Sequence, residues 1–306
     1  MTEIFRPVAL SVQRLFNQLD PATAGEDPSL VDAEFPPVFL IGPPRSGSTL
    51  VYQALCRAAN VCFISNTMAL LPRFMGRLAP WSLSRAPTSS SPYPRGDYGF
   101  LPGLFAPSEA GKVFDGWFSD DNRFDQSDVR RMIAGLSRRV DRPLLVKSPS
   151  LILRLDQINN MLPYARFIVL SRTPAFIVQS LLEGQSNQAL SDDRWEGISP
   201  PMAVNRTFDG PEDKTAWQVA ELLRSIELNM ADVDASRISR VSYEDFCEDP
   251  RGCIDQVGRD IGIVTNSAKL PSEFSVSSKI RVSPELWRKL EEACRRHNLG
   301  VVDSPV

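Results

Sequence analysis

The chain is short of the groups that most often run metal and acid–base chemistry. It holds one histidine, His297, and five cysteines in 306 residues. Cys56 and Cys62, like Cys247 and Cys253, have five residues between them, which is not a zinc-ligand spacing. The odd, low cysteine count argues against a disulfide framework and for reduced thiols in a cytoplasmic protein. Cys56 reads as a small buried residue. No stretch approaches the ~20 apolar residues of a membrane helix. The N-terminus, MTEIFRPVAL, has no basic region leading an apolar run. These absences predict a soluble, cytoplasmic protein with no integral membrane segment. A net charge of −3 and a pI near 5.4 provide no global basic field for nucleic acid. Anion recognition must therefore come from a local site.

What is present is a chain rich enough in apolar residues, at 42%, to bury a sizeable core. Strand-like runs alternate with helical ones, which predicts an α/β fold with a mostly parallel central sheet and helices on both faces. Strands are expected at Val38–Ile41, Val61–Ser65, Pro143–Lys147, Arg166–Leu170 and Ile238–Val241. Helices are expected over residues 50–59, 109–118, 126–140, 150–161, 174–182, 217–230, 250–261 and 284–297. Residues 3–20 carry an apolar stripe at helical spacing. The organisation reads as a single domain. Residues 1–35 form an N-terminal helix and connector, 36–262 the core, and 263–306 a C-terminal helical extension. Two irregular segments, 76–108 and 183–213, are dense in Pro, Gly and polar residues. The first also holds Tyr93, Tyr98, Phe100 and Phe105. Both are expected to cover a substrate pocket and to close on a bound ligand as lids do.

The densest chemical signal is GPPRSGST, Gly42 to Thr49, between a buried strand and a helix. A glycine-rich turn that opens a helix is a phosphate cradle, because the first helical N–H groups have no partner within the helix. The frame is that of the P-loop GxxxxGK[ST], but Ser48 stands where the lysine belongs. The positive charge is Arg45, inside the turn. Ser46, Gly47, Ser48 and Thr49 add backbone and hydroxyl donors. A second cluster is LSRTP, residues 170–174, followed by Ser180. An arginine at the carboxyl end of a parallel strand lies where open α/β sheets place ligands. Arg172 and Ser180 either bind a second phosphate, or are an ion-pair arginine and an ordinary helix residue.

These residues resemble the sulfotransferases that use 3′-phosphoadenosine 5′-phosphosulfate (PAPS), in their bacterial-type branch. The resemblance covers roughly residues 36–262. It implies that Pro44, Arg45, Ser46, Gly47, Ser48 and Thr49 bind the 5′-phosphosulfate. It implies that Arg172, Pro174 and Ser180 bind the 3′-phosphate. The stretches LLVKSP (144–149) and VSYEDFCEDP (241–250) are similar to further family segments. Thr173 stands where Asp or Asn is more usual, and the Arg-Lys-Gly loop of the cytosolic animal enzymes is not visible. The resemblance implies a sulfuryl transfer from PAPS to a hydroxyl of a glycan, lipid or small metabolite, leaving 3′,5′-adenosine bisphosphate (PAP), and no metal.

In such a transfer, catalysis is positioning plus stabilisation of charge on the leaving phosphate and the equatorial oxygens. Arg45 is the first candidate for that role and Lys147, at a strand end, the second. Lys147 is otherwise a surface charge. An alcohol acceptor needs a base. His297, in the last turn of a helix, reads as a cap, so carboxylates are the better candidates. Glu109 is chosen and Asp97 is the runner-up. The competing reading is that Ser108 caps a helix and Glu109 stabilises its first turn. Two other functional classes remain open: a P-loop kinase or NTPase, and a noncatalytic nucleotide-binding scaffold.

Overall fold

A computed structural model of the chain describes residues 34–88, 92–94, 99–118, 125–189, 194–203 and 206–300. The stripe at 3–20, Asp97 and Tyr98 lie outside the described residues.

The sheet has four parallel strands: β1 (Val38–Ile41), β2 (Leu145–Val146), β3 (Arg166–Ser171) and β4 (Ile238–Ser242). Their order is β2-β1-β3-β4. The register is continuous, with Val38 opposite both Leu145 and Arg166, and Phe167 opposite Ile238. The strands β1 and β2 and the centre of β3 read as unbroken apolar runs because both faces are covered, whereas the edge strand β4, ISRVS, does not. On one face Phe39, Ile41, Val146, Phe167 and Val169 pack with Phe114, Trp117, Phe118 and Met132. On the other, Val38, Leu40, Leu145, Ile168 and Leu170 pack with Val51, Leu55, Phe246 and Ile254. The two-residue alternation of side chains along each strand divides the core this way.

The covering helices are α1 (Ser48–Ala58), α2 (Asn66–Leu70), α3 (Met75–Leu83), α4 (Gly111–Trp117), α5 (Gln126–Val140), α6 (Leu155–Met161), α7 (Pro174–Asn187), α8 (Pro211–Ala231), α9 (Tyr243–Glu248), α10 (Pro250–Ile261) and α11 (Pro284–Arg296). Proline opens α7, α8, α10 and α11, at the position where its missing N–H has no helical partner anyway. The expected α/β architecture, with a parallel sheet between helical layers, is the one observed.

Several boundaries differ from the sequence expectation. Val61–Ser65 is not a full strand. Cys62 makes one parallel bridge to Leu144, and Ser65 one antiparallel bridge to Pro107. The chain then turns into α2, whose N-cap is the Ser65 side chain. The irregular segment 76–108 begins inside α3, which tolerates Pro80 near its end. The segment 183–213 is likewise trimmed at both ends by α7 and α8. The single helix expected over 150–161 is a tight turn of 3-10 type, Pro149–Arg154, followed by α6. Cys56 is half-buried rather than buried.

Candidate active site at the carboxyl ends of the strands

Parallel strands place their carboxyl ends together, and four chemically distinct groups follow them. The Gly42–Thr49 turn follows β1, Lys147 follows β2, Arg172 follows β3, and Tyr243 with Glu244 follows β4. The chain reverses its direction across the sheet between β1 and β3. That switch point is where open α/β sheets form a ligand crevice.

The turn after β1 is shaped by two left-handed residues, Arg45 at φ 67° and Gly47 at φ 88°. A side chain at Gly47 would strike the Tyr243 ring, so the backbone rests directly on that aromatic. The helix α1 then starts at Ser48 with no acidic residue in its first turn. Its N-terminal dipole end and first N–H groups thus face no carboxylate of their own helix. The Ser46 hydroxyl is fully buried and has no hydrogen-bond partner among the described residues.

Arg172 is buried beside this turn. Its Nη1 donates to the Arg45 carbonyl at 2.6 Å, and its Nη2 donates to the Ser277 carbonyl. The guanidinium carbon lies 4.7 Å from the centroid of the same Tyr243 ring. Its Nε is buried without a partner among the described residues. Burial lowers the guanidinium below its ordinary pKa, the direction expected of a cation drawn out of water. Glu244 braces the strand end: its Oε1 accepts from the Thr173 backbone N–H at 3.1 Å and from the Thr173 hydroxyl at 2.9 Å. Ser180 sits half-buried on α7. Among the described residues Arg172 has no salt-bridge partner; carbonyls and an aromatic face hold it, with the Glu244 carboxylate near enough to favour its charge.

Sequence reasoning missed the segment that crosses this end of the site. Residues 277–281 are tied to α7 by Gln179, whose amide donates to the Lys279 carbonyl at 3.1 Å and accepts from the Arg281 N–H at 2.9 Å. Arg281 also forks onto Glu183, with a closest approach of 2.7 Å. The stretch SSKIRVS contains no glycine and no clear period. Its two cations ahead of a capped helix were the available signal.

Lys147 and Glu109 are brought together. The Lys147 ammonium touches a Glu109 carboxylate oxygen and lies 3.3 Å from the Thr49 hydroxyl, which accepts from it. Lys147 is thus a buried cation, not a surface charge. Burial pulls it down to about 7, while the adjacent carboxylate pulls the other way by favouring the charged form. The helix-stabilising reading of Glu109 does not fit. The N-cap of α4 is Ala110 in a left-handed conformation, and Glu109 precedes the helix. Ser108 accepts from the Ala110 N–H at 3.2 Å. A side chain at Gly99 would strike the Glu109 carboxylate, so the covering segment lies directly on it. His297 is the C-cap of α11, with its ring 2.9 Å from Asp213, far in sequence from these groups.

Arg45 has a partner the sequence did not suggest. Its Nη2 lies 3.1 Å from Oε1 of Glu196, which is only 8% exposed. Gln188 donates to the other Glu196 oxygen, and Gln218 holds the Glu196 carbonyl at 2.8 Å. A Cβ at Gly184 would fall 2.8 Å from Arg45 Nη2 and 2.9 Å from Glu196 Oε1, so glycine makes room for the pair.

Fold and site together define an α/β protein with a P-loop-like turn at the switch point of a parallel sheet. The chain belongs to the sulfotransferase family, whose profile, described as "Sulfotransferase family", matches residues 36–266. Two curated relatives are named omega-hydroxy-beta-dihydromenaquinone-9 sulfotransferase Stf3, from Mycobacterium bovis and Mycobacterium tuberculosis. Each is 26% identical over 141 residues, a match spanning 46% of this chain and 34% of theirs. The chain thus matches about a third of the length of those relatives. The crystal structure of sulfotransferase STF1 from Mycobacterium tuberculosis H37Rv shares the fold, with a TM-score of 0.50 and 14% identity. That alignment covers 98% of this chain and 83% of the other.

Two outcomes are expected from these contacts. Glu196→Gln removes a carboxylate that competes with an anion for Arg45 but keeps an acceptor there. PAP affinity should rise by up to about tenfold, ~1.4 kcal/mol, in calorimetric titration. The Lys147 charge should be lost as pH rises above about 7 in the ligand-free protein. A bound dianion favours the protonated amine, so PAP affinity should fall from pH 7 to pH 9. Lys147→Met should flatten that slope.

Proposed function

We propose that the protein transfers a sulfuryl group from PAPS to a hydroxyl of a glycan, lipid or small metabolite, releasing PAP. The observation that carries this reading is the pairing of two cationic cradles across the switch point. Each contains a buried polar atom without a partner among the described residues, Ser46 Oγ and Arg172 Nε. Buried polar atoms normally find partners, and anionic oxygens suit both of these donors.

The donor would supply an activated sulfuryl group on a nucleotide phosphate. Arg45 with Ser46, Gly47, Ser48 and Thr49 holds the 5′-phosphosulfate end. Arg172 and Ser180 hold the 3′-phosphate end. Lys147, seated on Thr49, offsets negative charge building at the leaving phosphate. Glu109 takes the acceptor proton on a carboxylate oxygen. Its side chain is 21% exposed against 3% for Lys147, so the carboxylate is the member of the pair that a hydroxyl can reach. Lys147 would then leave Glu109 for the donor's oxygens, freeing the carboxylate as the base. The reaction is placed in the cytoplasm, in keeping with five free thiols. No helix among the described residues is long and apolar enough to cross a membrane.

Calorimetric titration with PAP, beside ATP with magnesium, tests the donor site. Micromolar PAP binding is expected, weakened by about 1.5–3 kcal/mol in Arg172→Ala, the scale of a charge-assisted hydrogen bond. Tight ATP binding without PAP binding would sink the reading in favour of a kinase or NTPase. Glu109→Gln removes the carboxylate that competes for Lys147, so PAP affinity should hold or rise, as for Glu196→Gln, while turnover falls by ~10²-fold.

A further inference from the structure

One face beside the site joins exposed apolar side chains to arginines, with no described acid between them. Among the described residues, nine large hydrophobic side chains are exposed. Four of them, Leu70, Trp81, Phe100 and Leu104, fall within residues 66–108. The segments that carry them are held together. The Thr67 N–H and hydroxyl both donate to the Leu104 carbonyl, at 2.9 and 2.8 Å. The Asn66 amide donates to the carbonyls of Leu101 and Gly103 at 2.7 and 2.8 Å. The Trp81 ring meets Phe105 edge-on, with centroids 4.9 Å apart.

The same stretch is net basic. Residues 58–108 contain Arg73, Arg77, Arg85 and Arg95 against the single acid Asp97, in a chain whose net charge is −3. Arg77 and Arg85 are exposed and lie four residues either side of Trp81. The Arg85 guanidinium sits 5.0 Å from the Trp81 ring centroid. Scattered apolar residues need no explanation, but four on segments tied to one another, beside two exposed arginines, do.

We propose that this face docks on the surface of an anionic phospholipid bilayer. Tryptophan is suited to the headgroup level, with its apolar body inward and its N–H in the wet layer. Leu70, Phe100 and Leu104 supply shallow apolar insertion, and Arg77 and Arg85 meet the negative headgroups. A second copy of the chain fits this face less well. A two-fold contact would set the arginines of one copy against those of the other. Phe100 adjoins Gly99, which lies on the Glu109 carboxylate. If the sulfuryl-transfer reading holds, docking sets the base just behind the bilayer contact, and a hydroxyl carried by a lipid is the acceptor class it suits.

Co-sedimentation of the full chain with vesicles tests the docking. Mixed phosphatidylcholine–phosphatidylglycerol vesicles should pull the protein down, and phosphatidylcholine alone should do so several-fold less. Trp81→Ser with Leu104→Ser should abolish binding. Arg77→Ser with Arg85→Ser should reduce it to the phosphatidylcholine level. All variants should bind PAP as the parent does, which separates loss of docking from loss of folding. The proposal is overturned if the parent stays in the supernatant with anionic vesicles, or if the Trp81/Leu104 variant binds as well as the parent. It is overturned equally if sedimentation shows a dimer that those substitutions dissolve. PAP binding without vesicle binding ends the docking proposal alone. Vesicle binding without PAP binding ends the donor reading alone.

Discussion

The contact between Gly47 and Tyr243 sets the geometry on which the rest of the site depends. The loop backbone can lie on the ring only because Gly47 has no Cβ and accepts a φ of 88°. The opposite side of the arrangement uses the same ring, since Arg172 sits over it while holding the Arg45 carbonyl. One aromatic side chain thus spaces two cationic cradles that come from different strands. A cation over a partly buried ring contributes about 0.5–2 kcal/mol. The larger effect is spatial. The distance between the cradles cannot change without moving a side chain anchored in the core against Phe246 and the strand ends. A ligand with two anionic ends of fixed separation is the kind of partner such spacing selects.

Three buried or half-buried cations at the carboxyl ends of the strands raise a stability problem, and each is answered differently. Arg45 is paired with a nearly buried carboxylate. Lys147 is paired with Glu109 and Thr49. Arg172 is held by carbonyls and a ring, which stabilise a cation without cancelling its charge. Removing one partner of a buried pair strands the other, at about 3–5 kcal/mol. The pairs therefore stabilise the strand-end cluster. They also hold carboxylates where an incoming anion must replace them, so ligand affinity is set by the difference between two sets of acceptors. Glu196 and Glu109 are not equivalent in this exchange. Displaced from Arg45, Glu196 still has Gln188. Displaced from Lys147, Glu109 would be freed for the base role proposed above.

The parts of this design that were legible in the sequence are local ones. The Gly42–Thr49 turn, Arg172 and Lys147 each follow a strand whose apolar run is continuous, and a parallel sheet brings strand ends together whatever lies between. The parts that were not legible are pairs formed through space. Glu196 is 151 residues from Arg45 and sits in a segment with no helical or strand period. The strap at 277–281 is held through Gln179 and Glu183 on α7 and through Arg172, and has the composition of an ordinary linker. The helix α3 was hidden by Pro80 and by the Pro- and Ser-rich tract that follows it. At Glu109 the local rule pointed the wrong way. Ser108 followed by an acid looks like a helix start, but Ala110 takes the left-handed conformation and delays the helix, which turns the carboxylate toward Lys147.

That left-handed residue belongs to a stretch whose path is set by backbone conformation rather than by hydrophobic periodicity. Gly99, Gly103 and Ala110 all have positive φ, at 85°, 110° and 46°. Between them the chain is tied to the core by hydrogen bonds, not by a repeating apolar stripe. The Ser108 N–H donates to the Ile64 carbonyl at 2.8 Å, the Ser108 carbonyl accepts from the Tyr52 hydroxyl at 3.2 Å, and Ser65 bridges Pro107. Tyr52 lies on α1, the helix that the Gly42–Thr49 turn opens. Glu109 is therefore positioned from the same helix that positions the Ser48 and Thr49 hydroxyls. A carboxylate fixed in this way keeps its distance from the turn even where the covering segment around it differs in length or sequence. The loop's outer residues, such as Phe100 and Leu104, can then differ while Glu109 and the turn stay in register.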